Sequence, residues 1–259
     1  MKRFGRIIKL HYLMIAAVFC VLAFAPAALA AQKEIVWYVA ASMTKPAQVM
    51  VDKFNAENQD MEIVLNVGGS GELLSKITAS KVGDFYTPAS TSFLDKAKDA
   101  GIVTKETPLL MQSPVFGLSK SGVDKIKSYA DVAKPGLKVA LGNPETMASG
   151  KTWLEIEKKL PEDIAKGIRA NTQVEALNIN QVQNYIQTDV VDTGLIFDSM
   201  AKNNKIPYVE IPAEYNVPET SHLVQLNTTK NSQEDLDKVQ KFIFDNFSIF
   251  ENAGYAPAK

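Results

Sequence analysis

Met61-Glu-Ile-Val-Leu-Asn-Val67, then Gly68-Gly-Ser-Gly71, then Leu73, Leu74 and Ile77 on one helical face read as a strand, a small-residue turn and a helix. The same succession stands just upstream. Glu34-Ile-Val-Trp-Tyr-Val-Ala40 is a mostly apolar, β-rich run suited to burial on both faces. Ser42 and Pro46 are helix-start signals ahead of Val49, Met50, Val51 and Phe54. Downstream, a short apolar segment at Phe85-Tyr86 precedes a helix predicted over about 92–100 and closed by Gly101. Residues 112–119 read as extended, and Lys134-Pro-Gly136 turns the chain into the β-rich Leu137-Lys-Val-Ala-Leu141. Gly142-Asn-Pro-Glu-Thr-Met-Ala-Ser-Gly150 is a loop that opens a helix over about 151–160. A polar helix over 180–187 and a short buried strand, Thr193-Gly-Leu-Ile-Phe197, follow, the strand ending at Asp198-Ser199. Such alternation predicts parallel α/β sheets. Leu236, Val239, Phe242, Ile243 and Phe247 give 233–250 the pattern of one core-facing amphipathic helix. No repeat, low-complexity tract or linker separates independent domains, so two lobes would be joined by more than one crossing.

The 259 residues are 46% hydrophobic and 22% charged, enough to bury a sizeable core. Residues 1–30 hold four basic residues (Lys2, Arg3, Arg6, Lys9), no acidic one, and an apolar stretch from Tyr12 to Ala25 ahead of Ala28-Leu29-Ala30. That is the pattern of an export signal cleaved after Ala30. The stretch is shorter than the ~20 residues that span a bilayer, so an uncleaved anchor is the lesser reading. The remainder carries 24 basic against 29 acidic residues, net −5, and no basic run, which excludes a nucleic-acid binder. Cys20 lies inside the signal, and Phe19 before it is not the small residue of a lipid-attachment site. The mature chain would hold neither a cysteine nor any histidine but His222, which excludes disulfides, His/Cys metal clusters and Cys nucleophiles. A Ser-His-Asp triad would depend on His222 alone.

Ser42, Ser70 and Ser149 each stand at or near a predicted helix N-terminus just after a strand. Helix N-termini offer unpaired N–H groups and partial positive charge, and ligands of open α/β sheets sit at the carboxyl ends of strands. Three such turns can converge on one anion, with the glycines around Ser70 and Ser149 allowing close backbone approach. Each serine taken alone is simply an N-cap.

Ala40-Ala-Ser-Met43, Gly68-Gly-Ser-Gly-Glu-Leu73, the 142–150 loop, Gly194-Leu-Ile-Phe197 and the closing Asn252-Ala-Gly-Tyr-Ala-Pro257 occur in this order. The order and spacing resemble the periplasmic molybdate-binding proteins of ABC importers over essentially the whole mature chain. That resemblance implies a type II periplasmic binding protein, an α/β fold of two lobes with a ligand cleft between them and two chain crossovers, at Gln112–Val115 and Thr220–Val224. It divides the chain into a signal peptide at 1–30, lobe 1 at 31–113 plus 223–259, and lobe 2 at 114–222.

Carried over residue by residue, the resemblance implies oxyanion contacts from hydroxyl and N–H of Ser42 and Ser70, and from the N–H of Ser149 and of Ile179. Phe197 stands where the family has a tyrosine, so a phenol donor is missing. Ser149 replaces the usual alanine and adds a hydroxyl, while Asp198 brings a carboxylate beside the expected site, with four readings open: selecting a different or protonated ligand, ordering a neighbouring backbone amide, pointing away from the cleft, or serving as a plain solvated or capping residue. Further departures are Gly83-Asp-Phe-Tyr-Thr-Pro-Ala89 in place of the family's A-D-V-F-x-S-A, and Ser90 in place of an acidic or amide residue. The function implied is capture of molybdate or tungstate by neutral donors in the periplasm and delivery to an ABC permease. The chain would act as a monomer, without a catalytic residue, a cofactor, membrane insertion of the mature chain, or any metal beyond that of the bound anion. Alternatives are a binding protein for another oxyanion, a small carboxylate or a phosphorylated metabolite; an exported serine hydrolase, for which no G-x-S-x-G elbow exists; and an adhesin, which no sequence feature supports.

Overall fold

The computed structural model describes residues 32–258, so the expected export signal lies outside the described residues. From Lys33 onward the chain forms one compact unit built on two sheets. Its strands are β1 (Lys33–Ala40), β2 (Met61–Gly68), β3 (Phe85–Thr87), β4 (Val103–Gln112), β5 (Pro114–Leu118), β6 (Val139–Gly142), β7 (Thr172–Ala176), β8 (Thr193–Phe197), β9 (Tyr208–Glu210), β10 (Glu219–Leu226) and β11 (Ala256–Pro257). The first sheet has the order β11-β4-β10-β3-β1-β2 and the second β7-β6-β8-β5-β9.

The apolar composition of β1 is explained by its place. It pairs in parallel with β2 on one side and β3 on the other, and Ile35, Trp37 and Val39 are fully buried. Trp37 satisfies its indole N–H on Thr87 Oγ1 at 2.9 Å, so this core aromatic leaves no polar group stranded. The helices that follow the strands are α1 (Thr44–Glu57), α2 (Ser70–Ser80), α3 (Thr91–Asp99), α4 (Ala148–Lys159), α5 (Glu162–Asn171), α6 (Ile179–Gln187), α7 (Asp198–Asn204), α8 (Gln233–Asp245) and α9 (Ser248–Asn252). On α1 the buried positions Ala47, Met50, Val51 and Phe54 form one stripe, and Phe54 meets Phe242 of α8 edge-on at 5.0 Å. In the second sheet Phe116, Val139, Leu141 and Leu195 pack with Trp153 and Ile156 of α4.

Two expectations from sequence are corrected. The sheets are mixed: β1, β2 and β3 run parallel, as do β6, β7 and β8, whereas β10 and β5 pair antiparallel with their neighbours. The two strands that carry the chain between sheets follow no strand-helix-strand unit, so the rule of parallel crossover does not govern them. Residues 233–250 are two helices, because the helical ladder of α8 closes at Asn246 and α9 begins at Ser248.

Only Ser113 separates β4 from β5, so the first crossing is a single residue. The chain returns between β9 and β10, and Glu219 already pairs with Gln112 of β4, four residues ahead of 223. Because of the parallel directions, the carboxyl ends of β1, β2 and β3 and those of β6, β7 and β8 each lead into turns that enclose one small cavity.

Candidate functional site

The cavity is lined by Ala40, Ala41 and Ser42 after β1, Gly68–Ser70 after β2 and Ala89 after β3. From the second sheet come Met147, Ala148, Ser149, Ile179 and Phe197. No lining residue carries a charge. The cavity is small, with a volume of about 20 Å³.

The three serines are buried, at 7%, 2% and 1% exposure for Ser42, Ser70 and Ser149. None caps a helix with its side chain. Ser42 sits inside a short 3-10 turn, Ala41–Met43, while the cap positions of α1, α2 and α4 are Met43, Gly69 and Met147. The hydroxyls of Ser42 and Ser149 have no hydrogen-bond partner among the described residues. Leaving a buried hydroxyl unpaired costs about 1–3 kcal/mol. Ser70 Oγ accepts the Ala89 N–H at 3.1 Å and keeps its own proton for another acceptor. Ser70 and Ile179 are the first residues of α2 and α6, and Ser149 the second of α4. Their N–H groups therefore lie outside the intrahelical ladders, at the positive ends of the helix dipoles.

Two tyrosines hold the serine turns in place. Tyr255, from the closing segment, donates its phenol to Ser42 O at 2.6 Å, and Tyr86 of β3 donates to Ser70 O at 2.8 Å. Burial pushes both phenols well above their ordinary range, so both are fixed donors at any physiological pH. Tyr86 ties its serine carbonyl into the first sheet, and Tyr255 does so from the residue just before β11. Both residues lie in segments legible in the sequence, yet nothing in a tyrosine's neighbours announces a partner that is a backbone carbonyl.

The turns from the two sheets touch. Gly71 N–H donates to Thr146 O at 3.0 Å, and a Cβ on Gly71 would stand 2.4 Å from Glu145 O. Only a glycine permits this approach.

Five of the six residues expected at the site, Ser42, Ser70, Ser149, Ile179 and Phe197, line the cavity together. Asp198 is the exception and is corrected: its carboxylate accepts the Ser113 N–H at 2.8 Å and Lys202 Nζ at 2.8 Å, and it is not part of the lining. Asp198 N–H donates in turn to Ser113 O at 2.8 Å. Its work is to pin the single-residue crossing. Phe197, buried, gives the cavity an apolar wall where a phenol was the family's pattern. His222 does not line the cavity, and burial, the largest influence, lowers its pKa, with Glu106, Lys98 and Asp95 the charges acting on it. Among the described residues no three His, Cys, Asp or Glu side chains gather as a metal site, and no helix is long and apolar enough to cross a membrane.

Residues 35–246 match the family model described as bacterial extracellular solute-binding protein. A molybdate-binding protein of Mycobacterium bovis is 27% identical over 183 residues, 70% of this chain and 67% of its own. In structure, the periplasmic molybdate-binding protein of Azotobacter vinelandii superposes with a TM-score of 0.73 at 16% identity, over 87% of this chain and all of that one. PEB3 of Campylobacter jejuni, in a structure with L-phospholactate bound, gives 0.72 at 18% identity, over 86% and 99%. The architecture they share with this chain is the two-lobed periplasmic binding fold.

Proposed function

Because this chain belongs to the bacterial extracellular solute-binding protein family, we propose that it captures a single tetrahedral oxyanion, molybdate or tungstate, and hands it to the permease of an ABC importer. The reading is supported above all by one observation: two buried, unpartnered serine hydroxyls and a third with an unused proton face one cavity at helix N-termini. Such a cavity offers an anion several donors and no like charge to repel it. A fully deprotonated oxyanion is solvated there by N–H and O–H dipoles, which offset the loss of water without a counter-charge. A space of about 20 Å³ suits one small inorganic ion. In this reading the chain is an exported binding protein and not an enzyme, since His222 stands apart from the serines. In this reading the two lobes are built on the two sheets, the first holding β1–β4, β10 and β11 and the second β5–β9.

The test is thermal unfolding with molybdate, tungstate and sulfate, each followed by calorimetric titration. A ligand that binds only the native state, at a hundred times its Kd, adds about 2.7 kcal/mol of stability. A raised Tm with molybdate or tungstate is expected. Silence with all three anions in both measurements contradicts the reading.

A further inference from the structure

Glu219 begins β10, at the point where the chain re-enters the first sheet, and its carboxyl group is buried. Oε2 accepts the Thr91 N–H at 3.2 Å, at the start of α3 beside the first sheet. Oε1 lies 2.5 Å from Thr152 Oγ1 on α4, which covers the second sheet. One carboxyl group thus bridges the two halves, and its partner Thr152 sits one helical turn beyond Ala148 and Ser149 of the cavity.

The protons around Thr152 can be counted. Thr152 Oγ1 is 2.9 Å from Ala148 O as well as 2.5 Å from Glu219 Oε1, and a threonine hydroxyl has one proton to donate. Both contacts are satisfied when Glu219 carries a proton. Its Oε1–H then donates to Thr152 Oγ1, whose own proton goes to Ala148 O, while Oε2 keeps the Thr91 N–H.

We propose that Glu219 is a protonatable latch between the halves, so that closure over the anion takes up one proton from solvent. The proposal rests on the oxyanion reading above. Burial pushes the carboxyl up to about 7, while the Thr91 N–H, and Thr152 whenever its hydroxyl donates to the ionised group, pull the other way. The charged and titratable groups on the elements around it are Asp95, Lys96, Lys98 and Asp99 of α3, with Glu145 paired to Lys96, then Lys151, Glu155, Glu157, Lys158 and Lys159 of α4, and His222 of β10. On β4 the residue opposite Glu219 is the uncharged Gln112. None of these charges figures beside burial and the two hydrogen bonds. An ionised Glu219 would set a negative charge one turn from Ser149 and oppose the anion, whereas the protonated group does not. Opening separates Thr152 from Glu219 and admits water, which returns the carboxyl toward its ordinary value of 4.5.

The sign follows from linkage. The closed state holds the proton more tightly than the open one, so affinity falls as pH rises between about 4.5 and 7, by up to about tenfold per pH unit, and levels off above 7. The experiment is calorimetric titration of the whole exported protein with micromolar molybdate, and separately with sulfate, from pH 5 to pH 8. Wild type and Glu219→Gln are compared, and the pH 6 titration is repeated in buffers of different ionisation enthalpy. Wild type is expected to lose affinity up to about pH 7 and to take up a proton on binding at pH 6. Glu219→Gln imitates the protonated carboxyl, so it is expected to bind with unchanged affinity across the range and no proton uptake. Wild-type affinity that ignores pH, or a Gln variant with the wild-type slope, overturns the latch while leaving the oxyanion reading intact. If wild type binds neither anion at any pH, the oxyanion reading fails and the latch falls with it.

Discussion

Ser42 and Ser149 separate two roles for a serine at a strand-to-helix turn. A capping serine stabilises the protein by itself, and its loss to alanine costs about 0.5–2 kcal/mol. A serine kept for a ligand is a burden until the ligand arrives, since its hydroxyl is buried without a partner. Ser42→Ala and Ser149→Ala are therefore expected to leave the anion-free protein as stable as wild type or more so. Each is expected to weaken anion binding by about 1.5–3 kcal/mol, the worth of a hydrogen bond to a charged group. Denaturant unfolding without anion, together with titration, checks both signs. Variants that lose stability yet bind normally would make the serines structural. Asp198 carries the complementary lesson: adjacency in sequence put a carboxylate beside the cavity, but the Ser113 N–H and Lys202 occupy it.

At the level of elements, the turns after β1 and β2 are each tethered by a phenol bonded to the serine carbonyl. Tyr255→Phe removes the donor to Ser42 O and leaves that carbonyl buried. The expected result is a loss of about 1–3 kcal/mol in the anion-free protein and weaker anion binding on top of it, measured by urea unfolding and titration. Unchanged affinity would show that the Ser42 turn needs no tether. Much of this layer was legible in the sequence: strand runs and helical stripes give β1, β2 and α1 through local periodicity, and small residues mark the turns between them. What escaped had distant partners. Tyr255 meets Ser42 across 213 positions and Glu219 meets Thr91 across 128, and neither contact leaves a local pattern. The antiparallel course of β10 escaped for the same reason, since its pairing with β4 is set by where the chain crosses and not by its own residues.

For the whole molecule, the two sheets and their single-residue crossing at Ser113 let two sets of turns meet around one small cavity. Gly71 against Thr146 O and Glu219 between Thr91 and Thr152 are contacts that exist only when the halves are together. The central claim is that the enclosed space is the anion site, and co-crystallisation with tungstate tests it most directly through the anomalous signal of the metal. The account predicts one strong peak inside the cavity, with oxygens in hydrogen-bond reach of the Ser42, Ser70 and Ser149 hydroxyls and the Ile179 N–H. A peak elsewhere on the protein, or an empty cavity at a tungstate concentration that saturates the shift in Tm, would contradict it.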